Sequence, residues 1–446
     1  MRPVALPSRR FLNEGCWILA GQLLSAIGVL VGLRLLTTLL SPKAFGEVAL
    51  ASGIVVLATG IAASPLMQGV LRYYPEASRT GNVFNLEHVV NYFLKRLIAI
   101  AAVVVFLGFN LFAFYEPTDL WLGPIMVLLL IVEAVRQKEL TLLNASRCQR
   151  LSATWNMLEA WVRPTSAYLF ALVLGATAGT TLAGSLMASA TLLLVFGRLA
   201  AKEREHHRDP KRSSERDSDF SKRQEIERSL LDYSKPLMPL GLVGWICSQA
   251  DRYLICGLLT VEEAGLYAAV YGIVSRPFLM AGGTFESWIR PAYYDAFEKM
   301  GSDSRRHHQI MAWWLTGISS VAVAGIVVFS LWHENIAYML LAPAYRSASW
   351  LMPWIALGYG LVLLAQVYER VCYVAGDTTS VLRIEMLASI AALITTFYSL
   401  RVFGLSGAAY AAPVYFGVQL AAAVLFARKS RQGTQQLLFV ENRANA

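Results

Sequence analysis

Charged side chains lie within segments of this sequence that are otherwise apolar. They are Arg34, Glu133, Arg136, Glu159, Arg163, Asp251, Arg252, Arg276, Glu286, Glu369, Arg370, Arg383 and Glu385. A charge inside a membrane span costs about 2.5–3.5 kcal/mol on insertion scales, so such residues usually face a protein interior or a water-filled cavity. Arginines predominate over lysines, and a guanidinium can bond two oxygens of one phosphate group at once. The pattern therefore favours a site for an anion that offers several oxygens.

Six arginines are the candidate binding residues for this anion: Arg34, Arg163, Arg252, Arg276, Arg72 and Arg290. Arg34 and Arg252 lie deep in two apolar segments, whereas Arg72 and Arg290 stand at segment ends. We expect the end pair to capture the anion and the deeper pair to help pass it outward. Two alternatives stay open. A helix-end arginine often only anchors at lipid head groups, and a deeper arginine can belong to an ion pair within its own half of the protein.

Three carboxylates are candidates for coupling to a proton or sodium gradient, because a buried carboxylate can bind a proton. They are Asp251, Glu133 and Glu369. Glu133 with Arg136, and Glu159 with Arg163, also have the i,i+3 and i,i+4 spacings of ion pairs within one helix. A purely structural role for those two pairs is therefore an alternative that the sequence leaves open.

Composition indicates which elements position these residues. The chain has 446 residues, of which 56% are hydrophobic and 15% charged, with a mean hydropathy of +0.48. A soluble protein would have roughly 25% charged residues. A membrane-spanning helix needs about 20 mostly apolar residues. Twelve segments fit that length: 15–39, 45–68, 90–114, 120–143, 155–175, 181–200, 236–259, 264–288, 310–332, 349–374, 382–402 and 407–427. We predict an all-α integral membrane protein.

The distribution of basic residues predicts the topology. The net charge is +9, and the basic residues form short clusters between the apolar segments. A nucleic-acid interface would need a continuous basic face, so nucleic acid is not an expected partner. Lysine and arginine are enriched in loops on the cytoplasmic side of membrane proteins. Their bias here predicts that both termini are cytoplasmic, with Arg72 and Arg290 at the cytoplasmic ends of spans two and eight.

A polar, mixed-charge stretch divides the apolar segments into two groups of six. The predicted parts are a six-helix lobe over 1–200, a cytoplasmic linker over 201–230, a second six-helix lobe over 231–428 and a cytoplasmic tail over 429–446. His206 and His207 lie in the linker, where a mobile loop lacks the fixed geometry of a metal site. The five cysteines have no CxxC spacing, so neither a zinc site nor a disulfide framework is predicted.

The two lobes share a sequence pattern. The stretch RLLTTLLSPKAFGEVALASGIV, which begins at Arg34, aligns with DRYLICGLLTVEEAGLYAAVYGIV, which begins at Asp251, once one residue is inserted. Arg34 then matches Arg252, and Leu33 matches Asp251, so the acid belongs to the second copy only. Six spans separate the copies, which predicts a parallel repeat about a pseudo-two-fold axis along the membrane normal. Repeats of this kind are typical of transporters.

The order of these motifs resembles the Wzx-type polysaccharide (O-antigen or exopolysaccharide) flippases of the multidrug/oligosaccharidyl-lipid/polysaccharide exporter superfamily. The matching motifs are LLSPKAFGEVAL, SPLMQGVLRYYPEA, DRYLICGLLTVEEAGLYA, WIRPAYYDAFEK, AGDTTSVLRIEMLASIAALI and GLSGAAYAAPV. The resemblance implies two six-helix lobes in a V around a cationic central cavity. It also implies that undecaprenyl-diphosphate-linked oligosaccharide repeat units move from the cytoplasmic to the periplasmic leaflet by alternating access.

The resemblance further implies a transporter without enzymatic activity in the bacterial cytoplasmic (inner) membrane. No cofactor is expected. The expected partners are the lipid-linked glycan, membrane lipids, and a polysaccharide polymerase with its export machinery. Whether the glycan is O-antigen of lipopolysaccharide, exopolysaccharide or capsule stays open. One alternative is a multidrug cation antiporter of the same superfamily, which would want acids rather than arginines in its cavity. A membrane glycan polymerase or ligase is another, but the outward loops are short for a catalytic site.

Overall fold

The computed structural model describes residues 9–115, 121–206, 220–300 and 305–444. Within these ranges the chain forms α-helices joined by short turns and contains no strand, which confirms the predicted all-α class. The helices are α1 (Arg9–Leu39), α2 (Pro42–Ala62), α3 (Ser64–Thr80), α4 (Val83–Tyr115), α5 (Leu122–Ala145), α6 (Gln149–Leu174), α7 (Ala178–His206), α8 (Phe220–Ser234), α9 (Met238–Leu258), α10 (Val261–Met300), α11 (Arg305–Leu340), α12 (Met352–Val374), α13 (Thr378–Phe403) and α14 (Leu405–Ala444). Short 3-10 segments at Lys235–Leu237 and Pro343–Leu351 lead into α9 and α12.

Nine segments in the described part of the chain are long and apolar enough to cross a membrane. They lie on α1, α2, α4, α7, α10, α11, α12, α13 and α14. The predicted fourth, fifth and seventh spans correspond to α5, α6 and α9, which are long enough but less apolar. These three helices carry Glu133 with Arg136, Glu159 with Arg163, and Asp251 with Arg252. These charged residues, which are also candidate site residues, make the three helices less apolar.

The predicted second span, 45–68, is wrong at its end. The chain breaks at Ala63, where α2 stops and α3 begins one residue later. Pro65 lies in the first turn of α3, a position that suits proline because the amide hydrogen it lacks would have no partner there. Segment α2 alone, Pro42–Ala62, has the length and apolarity of a membrane span.

The predicted linker contains helical structure at both of its ends. Helix α7 continues to His206, and α8 begins at Phe220, while 207–219, including His207, lies outside the described residues. Ile226 and Leu230 on α8 are one helical turn apart and pack against α3 and α4, where Leu230 is fully buried. This spacing of two apolar residues explains why a charged segment forms a helix on the protein.

The chain folds into two compact units, Met1–Trp245 and Ile246–Ala446. The predicted boundaries of the lobes, linker and tail stay a prediction. In the first unit α1 packs closely on α6, because a Cβ on Gly28 would lie 2.8 Å from Trp161, and one on Gly32 would collide with Pro164. Glycines four residues apart let two helices approach in this way. In the second unit α12 and α13 both pack on α14, and the ring of Tyr359 on α12 contacts that of Phe416 on α14, with centroids 5.7 Å apart.

Candidate functional site

In the first unit, α5 and α6 bring four candidate charges together. Arg136 bonds the Glu133 carboxylate through two nitrogens, and its Nε lies 3.4 Å from Glu159 Oε1. Nη1 of Arg163 lies 3.8 Å from Glu133 Oε2 and 3.8 Å from Glu159 Oε1. The hydroxyl of Ser189 on α7 donates to Glu159 Oε1 at 3.2 Å. The ion pairs predicted within each helix are confirmed, and they merge into one network between helices.

The two arginines of this network differ in how firmly they are held. Arg136 makes hydrogen bonds to Glu133 and has a side chain that is 16% exposed. Arg163 stays beyond hydrogen-bond distance from both carboxylates, and 32% of its side chain is exposed. A guanidinium carries five N–H donors. Arg163 therefore has donors to offer an incoming anion, whereas those of Arg136 are largely engaged by its acidic neighbours.

The other two candidates of the first unit lie on different helices. Arg34 is half-buried near the end of α1, and its backbone carbonyl accepts a hydrogen bond from Thr37. Arg72 is on α3, where its guanidinium lies 4.9 Å from the ring centroid of Tyr233 on α8. A cation over an aromatic face is held electrostatically by the ring. The roles of Arg34 and Arg72 in binding stay predictions.

In the second unit, Asp251 and Arg252 are buried in α9, with 7% and 8% exposure. Asp251 Oδ1 accepts the backbone N–H of Arg252 at 2.8 Å. The Arg252 guanidinium bonds the Gln249 side chain, and it lies 4.6 Å from the ring centroid of Tyr271. The Tyr271 hydroxyl accepts a 2.7 Å hydrogen bond from Tyr359. Arg252 is thus held by side chains of its own unit.

Arg276 and Arg290 lie on α10 and have different surroundings. Arg276 is exposed, and among the described residues it has no hydrogen bond or ion pair. Arg290 is also exposed but donates to Glu286 Oε1 at 3.0 Å. Glu286 Oε2 in turn accepts from Arg370 at 3.1 Å. Glu286 and Arg370 line a groove between α10, α11 and α12, together with Trp314.

Glu369 belongs to a polar group that the sequence did not suggest. The Nε2 of Gln419 on α14 donates to Glu369 Oε1 on α12 at 3.0 Å and lies 3.3 Å from Glu385 Oε1 on α13. Glu385 is among the intramembrane charges in the sequence but was not singled out, and Gln419 is uncharged. The sequence indicated this group only by Gln419, a polar amide in the apolar helix α14. Its two partners, Glu369 and Glu385, become apparent only in the tertiary fold.

Asp377 lies in the turn between α12 and α13, outside the membrane-spanning segments. Its carboxylate caps α13, accepting the Ser380 backbone N–H at 3.0 Å and the Ser380 hydroxyl at 2.6 Å. The Ser430 hydroxyl adds a third bond at 3.3 Å. Partial burial opposes ionisation, but these hydrogen bonds outweigh it and hold the pKa of Asp377 below its usual value. The loop therefore keeps a fixed negative charge at the start of α13.

Comparison with known proteins agrees with this architecture. The model of the family "Polysaccharide biosynthesis protein" matches residues 11–285, which is more than half of the chain. No curated protein matches significantly. The fold is similar to that of an inward-facing multidrug resistance MATE family transporter of the MOP superfamily, with a TM-score of 0.70, 12% identity, and 93% of this chain and 96% of that chain covered.

Two further structures have the same fold. The lipid II flippase MurJ in an inward closed conformation has a TM-score of 0.65 at 12% identity, with coverage of 96% of this chain and 93% of that chain. A MOP superfamily transporter from Pyrococcus furiosus, described as having a binding pocket of reverse polarity, has a TM-score of 0.62 at 13% identity, with 95% and 97% covered. The predicted fold, with about twelve membrane helices in two lobes, is confirmed.

Proposed function

Because the chain belongs to the polysaccharide biosynthesis protein family, we propose that it is a flippase for lipid-linked glycans. Its substrate is an undecaprenyl-diphosphate-linked oligosaccharide repeat unit, which it moves from the cytoplasmic to the periplasmic leaflet by alternating access. The glycan then enters the synthesis of O-antigen, exopolysaccharide or capsule. The family match and the fold shared with a lipid II flippase support this proposal.

The observation that carries the proposal is Arg276. It lies fifteen residues after Val261, the first residue of α10, so at a rise of about 1.5 Å per residue it is well inside the hydrocarbon layer. It is exposed and has no ion pair among the described residues. A charged side chain at such a depth is costly unless it meets water or a counter-charge. A diphosphate passing this position supplies that counter-charge.

The charge of the exposed side chains also separates this function from multidrug cation antiport. Arg276 is exposed and Arg163 partly so, whereas Asp251 and Glu369 are buried. A cation would be repelled by the residues that an incoming substrate meets first, while an anion would be attracted. Glycan polymerase or ligase activity is not part of the proposal, since the chain is proposed to act as a transporter and not as an enzyme.

Replacement of single arginines tests the proposal. We expect Arg276→Ala and Arg163→Ala to abolish export of the surface glycan at matched protein levels, and the corresponding Lys variants to restore part of it. Arg401→Ala is the matched control, because Arg401 is an exposed arginine that lies over the Phe397 ring at the end of α13. Unchanged export in both alanine variants would refute the cationic route. Extrusion of cationic drugs without glycan export would favour the antiporter.

We further propose that the protein acts in the bacterial inner membrane with both termini in the cytoplasm. Its partners are then a polysaccharide polymerase and the associated export machinery. A proton or sodium gradient is proposed to drive the cycle, with no other cofactor. Labelling of single cysteines introduced at 2 and at 446, in a variant whose five native cysteines are replaced, tests the orientation: a membrane-impermeant thiol reagent should reach both sites only after the cytoplasmic side is opened.

A further inference from the structure

Two glutamates of the second unit, Glu369, which is buried, and Glu385, which is half-buried, share one amide. Gln419 Nε2 is 3.0 Å from Glu369 Oε1 and 3.3 Å from Glu385 Oε1. Because both oxygens contact the same nitrogen atom, the two carboxylates lie close together. Glu369 is 4% exposed and Gln419 is 3% exposed. Three helices, α12, α13 and α14, thus bring two acids together around one side chain in a place with little access to water.

Two negative charges this close repel each other in a buried site, and one proton held between them removes the repulsion. The amide provides a second and independent indication of that proton. Gln419 Oε1 is buried and has no hydrogen-bond partner. Buried polar atoms are rarely left without a partner. A protonated glutamate beside it gains an O–H that can donate to such an acceptor.

Charged and titratable side chains of the neighbouring helices surround the two glutamates. The nearest base, Arg370, bonds Glu286 at 3.1 Å and lies 5.0 Å from the ring centroid of Tyr373. On α9 the Cys247 thiol lies 3.3 Å from the hydroxyl of Ser389. Arg370 therefore has its hydrogen bond to Glu286 and makes no ion pair with either acid among the described residues.

These surroundings favour a proton over a metal cation. A hard cation needs several oxygen ligands directed at it. Here the Gln419 amide donates N–H groups to both carboxylates, which uses the oxygens a cation would need. The described residues contain no group of three or more His, Cys, Asp or Glu side chains able to hold a metal ion.

We propose that Glu369 and Glu385 share one exchangeable proton and that this pair is the proton-binding site through which transport is driven. In this step a proton from water adds to one carboxylate, giving a carboxylic acid that donates to Gln419, and the proton later returns to water from the same group. Glu385, which is half-buried, is the member through which the proton enters. The link to glycan export rests on the proposed function, whereas the proton site itself does not.

Proton counting on the purified full-length protein in lipid nanodiscs tests the site without any substrate. After a jump from mildly acidic to alkaline pH, the wild type should release about one proton per chain more than Glu385→Gln or Glu369→Gln. The infrared band of a protonated carboxyl group should disappear over the same pH range and be absent in both variants. Glu334→Gln is the matched control, because Glu334 is an exposed glutamate on α11.

The outcomes separate the two proposals. Equal proton release by the wild type and both Gln variants overturns the shared proton, whatever the glycan assay gives. A carboxyl band that responds to sodium concentration at constant pH also overturns it, in favour of a cation site. Normal proton release by a protein that exports no glycan refutes the proposed function and leaves the proton site standing. Loss of both proton release and export in Glu385→Gln, with Glu334→Gln unchanged, supports both.

Discussion

Arg136 and Arg163 belong to one charge network, yet their removal should affect different properties. Loss of Arg136 should mainly lower the stability of the protein, whereas loss of Arg163 should mainly abolish glycan export. Arg136 bonds Glu133 through two nitrogens and also approaches Glu159. Breaking a buried ion pair by removing one partner costs about 3–5 kcal/mol, because the remaining charges stay buried without compensation. For a unit of this size, each kcal/mol lowers the melting temperature by about 2–4 °C. We therefore expect Arg136→Ala to melt about 6–20 °C below the wild type.

Arg163→Ala is the matched variant. Its guanidinium is 3.8 Å from both carboxylates and 32% of the side chain is exposed, so its ion pairs contribute at most about 1 kcal/mol. The expected loss in melting temperature is below about 4 °C. Glycan export should nevertheless be lost, since this arginine has donors to offer the diphosphate. The measurements are thermal unfolding in detergent at one scan rate and export at matched protein levels.

Either of two results would refute this reasoning. If Arg163→Ala melted as low as Arg136→Ala, the distances would not distinguish a structural from a binding arginine. If Arg163→Ala were stable and still exported the glycan, the exposed arginine would not belong to the substrate route.

Three further predictions follow from single contacts. Gly32→Ala places a Cβ against Pro164 and should destabilise the first unit by about 1–3 kcal/mol, while Gly108→Ala, which meets nothing within 4 Å, should not lower the melting temperature. Tyr359→Phe removes the buried 2.7 Å bond to Tyr271 and should cost about 1 kcal/mol in thermal unfolding. Asp377→Ala removes the cap of α13 and should cost about 0.5–2 kcal/mol at neutral pH. Because the pKa of Asp377 is lowered in the folded protein, its contribution is complete above the ordinary pKa and is lost as the pH falls through the folded value; melting curves of variant and wild type should therefore converge in acid.

Periodicity and composition predicted the features that depend on one helix at a time. The apolar segments gave helices, and the spacing of Glu133 with Arg136 and of Glu159 with Arg163 gave real ion pairs. Each of these depends on a 3.6-residue repeat, which a single sequence displays directly.

Contacts between helices were not predictable in the same way. Nothing in the sequence pairs Arg136 with Glu159, or Gln419 with Glu369 and Glu385, because the register between helices is decided by packing of the whole unit. The helix at Phe220–Ser234 was missed because its charged residues dominate the composition. Only two apolar residues one helical turn apart, Ile226 and Leu230, indicated that it would lie on the protein.

The partners of each arginine also divide the six candidates by what they can do. An arginine whose donors already bond neighbours must break those bonds before it binds a phosphate. The net binding free energy at such an arginine is therefore small. Arg252 is in this position, with bonds to Gln249 and an aromatic face at Tyr271. Arg276 is the opposite case, since any anion that reaches it gains hydrogen bonds without an internal one being lost. The sequence repeat drew attention to Arg252 through its match with Arg34, but a repeat preserves structure as readily as function. By this reasoning we propose that Arg252 holds the second unit together and that Arg276, which the repeat does not mark, meets the substrate.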